Sequence, residues 1–256
     1  MNPGWPSPGV ADLRDGFGDN SLAGTGRGVG LIDHYAYNNN GGYEDYLFEV
    51  IEDIFDQNND GIYDTNPALK TYLLDNNQTL IVASMSYNYN DDPDLPYGTG
   101  IVWSVDSGET WEYMPQPVEP TNGDYNANWY GQDFTYRGID IGGFNLAYDV
   151  AADLEQDYIY IASWAGMLRR FKYTDSNPSW EVVPLPMDDQ DNLNCGDIPN
   201  DYYYSAFDPP NGYVNHKPFS VHIEDGYIWV GTADGINRGD ILSDGCVDWD
   251  HFNNFN

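Results

Sequence analysis

Three segments of this chain repeat one another at a fixed interval, and no other property of the sequence limits the fold as tightly. Asp106 and Trp111, five residues apart in SVDSGETW, return 69 residues on as Asp175 and Trp180 in YTDSNPSW. They return again as Asp244 and Trp249 in LSDGCVDW. The flanks follow: WEYMPQP from Trp111 matches WEVVPLP from Trp180, and WDHF opens the same way from Trp249. Upstream, YIYIASWAGMLR (158–169) precedes YIWVGTADGINR (227–238) by the same 69 residues. TLIVAS (79–84) is the matching piece of the first copy, where a ten-residue excess within MSYNYNDDPDLPYGTG separates strand from turn. A period of this length marks a repeat architecture in which each copy is one supersecondary unit.

Each copy reads as strand, turn, strand, turn, strand. LIVAS, YIYIAS and YIWVGT are short, β-rich and end in small residues, as buried strands do. GIVWSV, MLRRFKY and INRGDIL are the second strands, and the Asp/Ser/Gly/Asn cluster after them supplies a tight turn. The Asp can accept hydrogen bonds from backbone N–H groups of its own turn, and the Trp can cover that turn and exclude water. The predicted fold class is all-β, with β-propeller blades in three copies at the 69-residue period.

Ser104, Asp106, Gly108, Thr110 and Trp111 together resemble the Asp box, the S-x-D-x-G-x-T-W hairpin of bacterial-neuraminidase-type repeats. The second copy keeps Asp175 and Trp180 but has Tyr173, Asn177 and Ser179 at the Ser, Gly and Thr positions. The third keeps Asp244 and Trp249, with Leu242, Cys246 and Asp248 at those places. IWVGTADGINR also resembles the strand of two-component-regulator-type sensor propellers. The resemblance covers residues 70–256. It implies a structural box at the periphery of a blade, and an extracellular, cell-surface or periplasmic compartment.

Propellers close with about four to eight blades, and only three copies are visible, at about 71–117, 146–186 and 215–256. The expectation is therefore an N-terminal portion of a larger propeller. The alternatives are that residues 1–42 complete a blade, or that another subunit closes the ring.

Residues 1–70 read differently. Tyr43, Tyr46, Leu47, Val50, Ile51 and Ile54 form one apolar stripe at helical spacing, which predicts a helix over 43–55 with acids on its other face. It runs into DQNNDGIYD (56–64). Asp56, Asn58 and Asp60 alternate toward a common centre, Gly61 permits the bend, the Ile62 carbonyl adds an oxygen and Asp64 sits at position nine. The loop resembles those of EF-hands, dockerins and thrombospondin-type repeats, which implies bound Ca2+. Pro67 stands where an EF-hand has its bidentate Glu, so the expectation is a structural calcium clip and not a sensor. An ordinary Asn/Asp-rich turn is the alternative.

Forty-two acidic residues face nine basic ones, a formal net charge of −33, which repels nucleic acid and anionic membranes. Such a surface fits cation binding, or solubility alone. No apolar run approaches the ~20 residues of a membrane span. Cys195 and Cys246 are the only cysteines, and their pairing is left open at this point. The acidic, tyrosine-rich loops 88–98 and 187–213 are candidates for holding a cation or a sugar, or are simply solvated. Trp129 and Tyr130 either stack on a sugar or pack beneath a blade.

Three functions follow. The first is a binding or scaffolding propeller with no chemistry of its own, taking a glycan or another extracellular protein. The second is a carbohydrate-active enzyme, since sialidases and some endoglucanases use Asp-box propellers. The third is a ligand-sensing ectodomain. A sialidase needs an arginine triad, yet Arg169 and Arg238 are repeat equivalents, which suggests that they serve the blade. A general glycosidase needs only two carboxylates across a cleft, and an acidic chain does not exclude that. His34, His216, His222 and His251 have no zinc-like spacing. No catalytic residues are assigned.

Overall fold

The computed structural model describes residues 20–25, 28–33, 68–88, 96–140, 146–163, 165–206 and 213–253. The predicted helix over 43–55 and the predicted calcium ligands Asp56, Asn58, Asp60, Ile62 and Asp64 lie outside them. Among the described residues the chain is all-β, in several sheets. These residues include no α-helix, one 3-10 turn (Val214–His216) and no sheet closed into a barrel.

The chain divides into two compact units, residues 1–113 and 114–256. The first holds a hairpin of β1 (Asn20–Thr25) and β2 (Gly28–Asp33), paired from Asn20↔Asp33 to Thr25↔Gly28. It also holds a four-stranded sheet in sequence order: β3 (Leu69–Leu73), β4 (Thr79–Asn88), β5 (Pro96–Ser104) and β6 (Glu112–Pro115), the last running across the boundary. Ile81, Ala83, Met85 and Val102 form a dry cluster on one face of that sheet, with Leu69 and Trp111 packed against it.

The second unit begins with the hairpin of β7 (Asp124–Trp129) and β8 (Gln132–Arg137), joined by a two-residue turn at Tyr130 and Gly131. Both turn residues have positive φ (48° and 91°), the geometry that matches strand twist in short hairpins. A four-stranded antiparallel sheet follows: β9 (Ala147–Asp153), β10 (Tyr158–Ser163), β11 (Met167–Lys172) and β12 (Glu181–Val182). The connection to the next sheet carries β13 (Asn192–Leu193) and β14 (Tyr203–Tyr204), and β14 pairs in parallel with β8. The last sheet is β15 (Pro218–Glu224), β16 (Tyr227–Thr232), β17 (Ile236–Ile241) and β18 (Val247–Phe252), with β13 added at its β18 edge.

The repeat is legible in the strand bounds. β16 begins and ends 69 residues after β10, and β17 does so after β11. Each copy has four strands where the sequence reading has three, because β3, β9 and β15 precede the strands that carry the repeated motif. The pairing register differs by one between copies. Ser163 pairs with Met167, but Gly231 pairs with Ile236, so the closing pair of the last sheet encloses four residues and that of the middle sheet three.

The middle and last sheets of the second unit lie face to face. On one side are Ala151, Tyr160, Ala162 and Leu168 of the middle sheet; on the other are Val221, Ile228, Val230, Val247 and Trp249 of the last. β9 and β15 run beside each other: the Asp149 carboxylate accepts the Val221 N–H at 3.0 Å, and the rings of Tyr148 and Phe219 meet at 5.9 Å. The middle sheet is buried on both faces, with Ile159, Tyr160, Ile161, Ala162 and Phe171 all at 0% exposure. The last sheet alternates: Ile228 and Val230 are buried while Tyr227 and Trp229 are exposed. YIWVGT is thus a half-buried strand and not the fully buried one its composition predicts, because one face of its sheet is uncovered among the described residues.

Candidate functional site

The site that the repeated motif defines is a set of three turns. At the first, Ser104, Asp106, Gly108, Thr110 and Trp111 close a network on themselves. The Ser104 hydroxyl donates to Asp106 Oδ1 (2.7 Å) and accepts the Gly108 N–H (2.8 Å). Thr110 gives its N–H to Asp106 Oδ1 (2.8 Å) and its hydroxyl to Oδ2 (2.5 Å). Trp111 Nε1 donates to the Gly108 carbonyl (3.2 Å) and closes the turn from above. Ser107 and Gly108 hold positive φ (65° and 92°). Ser107 ties the turn to the start of β4 through two bonds with the Thr79 backbone. Burial alone would raise the Asp106 carboxyl, but the bonds from Thr110 and Ser104 hold it below its ordinary value.

The second and third turns use the same residues differently. The Asp175 carboxylate is exposed and accepts no hydrogen bond from the described residues, while Trp180 meets Phe171 edge-on at 4.9 Å and donates to the Pro115 carbonyl (2.7 Å). Asp244 Oδ1 accepts the Cys246 N–H (3.1 Å), and the turn closes through Leu242 N–H to Cys246 O and Gly245 N–H to Leu242 O, both 2.8 Å. Trp249 lies within β18, buried, directly across from Gly239, and not over its turn. A Cβ on Gly239 would sit 2.8 Å from the Trp249 ring, so glycine there makes room for the indole. Cys195 and Cys246 form a disulfide with Cα atoms 6.0 Å apart, and Asp248 Oδ1 accepts the Cys195 N–H (2.7 Å).

The third turn is gripped by a residue that sequence reasoning did not select. Arg170 on β11 is buried, with its side chain 1% exposed, and its guanidinium lies 3.9 Å from the Tyr158 ring centroid and 4.6 Å from that of Trp129. It donates to Glu181 Oε2 (2.8 Å), the Tyr160 hydroxyl (3.0 Å), the Tyr130 hydroxyl (3.0 Å) and the Gly245 carbonyl. The Tyr130 hydroxyl in turn donates to the Asp244 carbonyl (2.7 Å). One planar fork therefore joins the β7–β8 hairpin, the middle sheet and the turn of the last sheet. Two adjacent arginines in a strand with no polar alternation were the available signal, since one of them must point inward.

Trp129 accordingly packs within the protein, 3% exposed beneath Arg170, while Tyr130 stays exposed with its hydroxyl held by Arg170 and the Asp244 carbonyl. Arg169 is also engaged. Its Nη2 lies 2.7 Å from Glu119, both side chains being under 9% exposed, and Glu119 further accepts the Ile139 N–H (2.7 Å).

The described part of the 187–213 segment is built into the fold. Leu193, Ile198, Tyr202 and Tyr204 join the core, and Asp188 accepts the N–H groups of Val214 (3.0 Å) and Asn215 (2.8 Å). His216 sits in a cage of Tyr202, Tyr204 and Tyr213. Its Nδ1 accepts the Ser205 N–H (3.2 Å), which leaves Nε2 to donate to the Leu185 carbonyl (3.2 Å). Burial holds its pKa down to about 3, so the ring is neutral. His222 lies exposed on a strand face, 3.6 Å from Glu224.

Among the described residues no three His, Cys, Asp or Glu side chains converge as a metal site would require. Comparison with family models finds none that matches the chain, and comparison with curated proteins finds no match.

Proposed function

We propose that this chain is a run of β-propeller blades acting as a secreted or cell-surface binding and scaffolding module, stabilised by calcium at residues 56–64 and without chemistry of its own. The observation that carries the reading is the recurrence of one antiparallel meander at a 69-residue spacing, with the face of one copy laid on the opposite face of the next. That arrangement supports blades of one repeating assembly. The Cys195–Cys246 disulfide favours an oxidising compartment. Binding is favoured over sialidase chemistry because Arg169 and Arg170, which a carboxylate-binding triad would need in a cleft, are buried in internal contacts.

The reading is tested by incubating the protein with chromogenic glycosides and sialosides while probing a glycan array. The expected result is saturable binding without turnover; product release from any substrate overturns it. Thermal melting with chelator tests the calcium clip. The midpoint is expected to fall, and Asp60→Ala to mimic the fall; a midpoint indifferent to both removes calcium from the proposal.

A further inference from the structure

Strand pairing arranges the open face of the last sheet in rows. At the end beside the β15–β16 turn, Tyr227 stands between Glu224 and Asp240, with Asp248 beyond Asp240. The next row holds His222, Trp229, Arg238 and Asp250, and the far end holds Ile236 and Phe252. The apolar members are open: Tyr227 is 40% exposed, Trp229 41%, Ile236 50% and Phe252 53%. Four carboxylates thus share the face with one arginine, and that arginine is already paired with Asp250 at 2.6 Å.

We infer that this face binds a basic, extended segment of a partner protein, which names the partner class of the binding module proposed above and rests on that reading. The unmatched charge selects the partner. With Asp250 committed to Arg238, the carboxylates of Glu224, Asp240 and Asp248 leave negative charge around an exposed ring, which attracts an ammonium or guanidinium group. The middle sheet meets the same need internally: Arg170 lies 3.9 Å from the Tyr158 ring centroid and donates to Glu181. The one-residue register shift puts Arg238 in the place of Arg170, across from Trp229. Arg238, however, is 5.6 Å from the Tyr227 ring and its side chain is 35% exposed, so the aromatic surface stays open. The net charge of −33 repels acidic partners and draws cationic ones. Along β16 the Tyr227 row and the Ile236–Phe252 row are four residues apart, about 13 Å. An extended partner therefore fits best with a basic residue over Tyr227 and an apolar residue four positions along.

Heteronuclear NMR titration of the full chain tests this, with a synthetic peptide of two lysines, three serines and one leucine in that order. The Trp229 indole signal is identified by its absence from Trp229→Phe, and is expected to shift saturably with the peptide. The same peptide with glutamates for lysines should leave it still. The Glu224→Gln, Asp240→Asn double variant should weaken binding by about 5-fold or more. Asp75→Asn with Glu109→Gln, the same charge change at exposed positions in the first unit, should alter it by less than about 2-fold. Trp229→Ala, read on the backbone amides of β16, should weaken it by about 10-fold. In 1 M salt, where the Debye length is about 3 Å, binding should fall sharply. Circular dichroism shows whether each variant is folded. No saturable shift at Trp229 overturns the inference, as does equal weakening by the two charge pairs, which would mark diffuse attraction to an acidic protein. Cellohexaose shifting Trp229 where the peptide does not also overturns it, in favour of a glycan surface, and leaves the binding-module reading intact. Turnover of a glycoside would overturn that reading while the peptide titration stands, so the two fail separately.

Discussion

Replacing Arg170 by Met should destabilise the second unit by about 3–5 kcal/mol, most of it from the buried polar partners that the guanidinium leaves behind. The Tyr160 hydroxyl and the Gly245 carbonyl would each lose a buried partner, at about 1–3 kcal/mol apiece. The stack on Tyr158 and Trp129 is worth about 1–2 kcal/mol when desolvated. Glu181 adds little, because at 43% exposure water replaces the guanidinium. The Met side chain returns part of the loss by filling the aromatic slot, so the sum of the separate terms is an upper bound. Urea unfolding followed by tryptophan fluorescence measures the change as a lowered midpoint. Arg170→Lys should retain the charge but lose the fork, and fall between wild type and Met. Tyr130→Phe should cost about 1 kcal/mol alone. In the double variant with Arg170→Met the loss should be less than additive, because both residues hold the same turn. A Met variant within 1 kcal/mol of wild type, or strict additivity with Tyr130→Phe, would falsify the claim that this fork holds the three elements together.

Asp106→Ala should lower stability by about 1–2 kcal/mol through loss of the Ser104 and Thr110 bonds, while Asp175→Ala should stay within about 0.5 kcal/mol; equal effects in paired melts would contradict the difference between the two turns. His216, neutral with a folded pKa of about 3 against about 6.5 unfolded, contributes fully above pH 6.5 and loses its contribution as pH falls toward 3. Unfolding measured at pH 7 and pH 5 should show about 2 kcal/mol lost from this group, and His216→Asn, already weakened, should show a flatter profile over that interval. Reducing the Cys195–Cys246 disulfide frees a loop spanning 51 residues and should cost about 4 kcal/mol by chain entropy; an unfolding midpoint unmoved by reductant would show that the bridge does not constrain the unfolded chain.

What the sequence disclosed was spacing, and what it hid was which side of a strand each residue occupies. The 69-residue interval located β10 and β16, β11 and β17, and their turns, because a repeated strand needs the same length and the same breakers in every copy. β3 and β9 escaped notice because their sequences, LKTYL and AYDVAAD, share no residue pattern with each other or with PFSVHIE of β15. The disulfide was invisible as a pairing because two cysteines 51 residues apart say nothing until a turn and a connecting segment are brought together.

The arginines show the limit most clearly. Alignment matched Arg169 with Arg238, and both then looked like interchangeable parts of a repeat. The loops between the paired strands have the same length in both copies, but the pairing of β16 with β17 is shifted by one, and in a strand a shift of one exchanges the two faces. Arg169 thus pairs with buried Glu119, while the surroundings of Arg238 are those of Arg170. Because Arg170 has its neighbouring sheet and Arg238 has none among the described residues, the same chemistry is a structural clamp at one place and an open surface at the other. Repeated letters therefore mark the repeat, whereas a one-residue slip in register decides which arginine closes the core and which stays half-exposed.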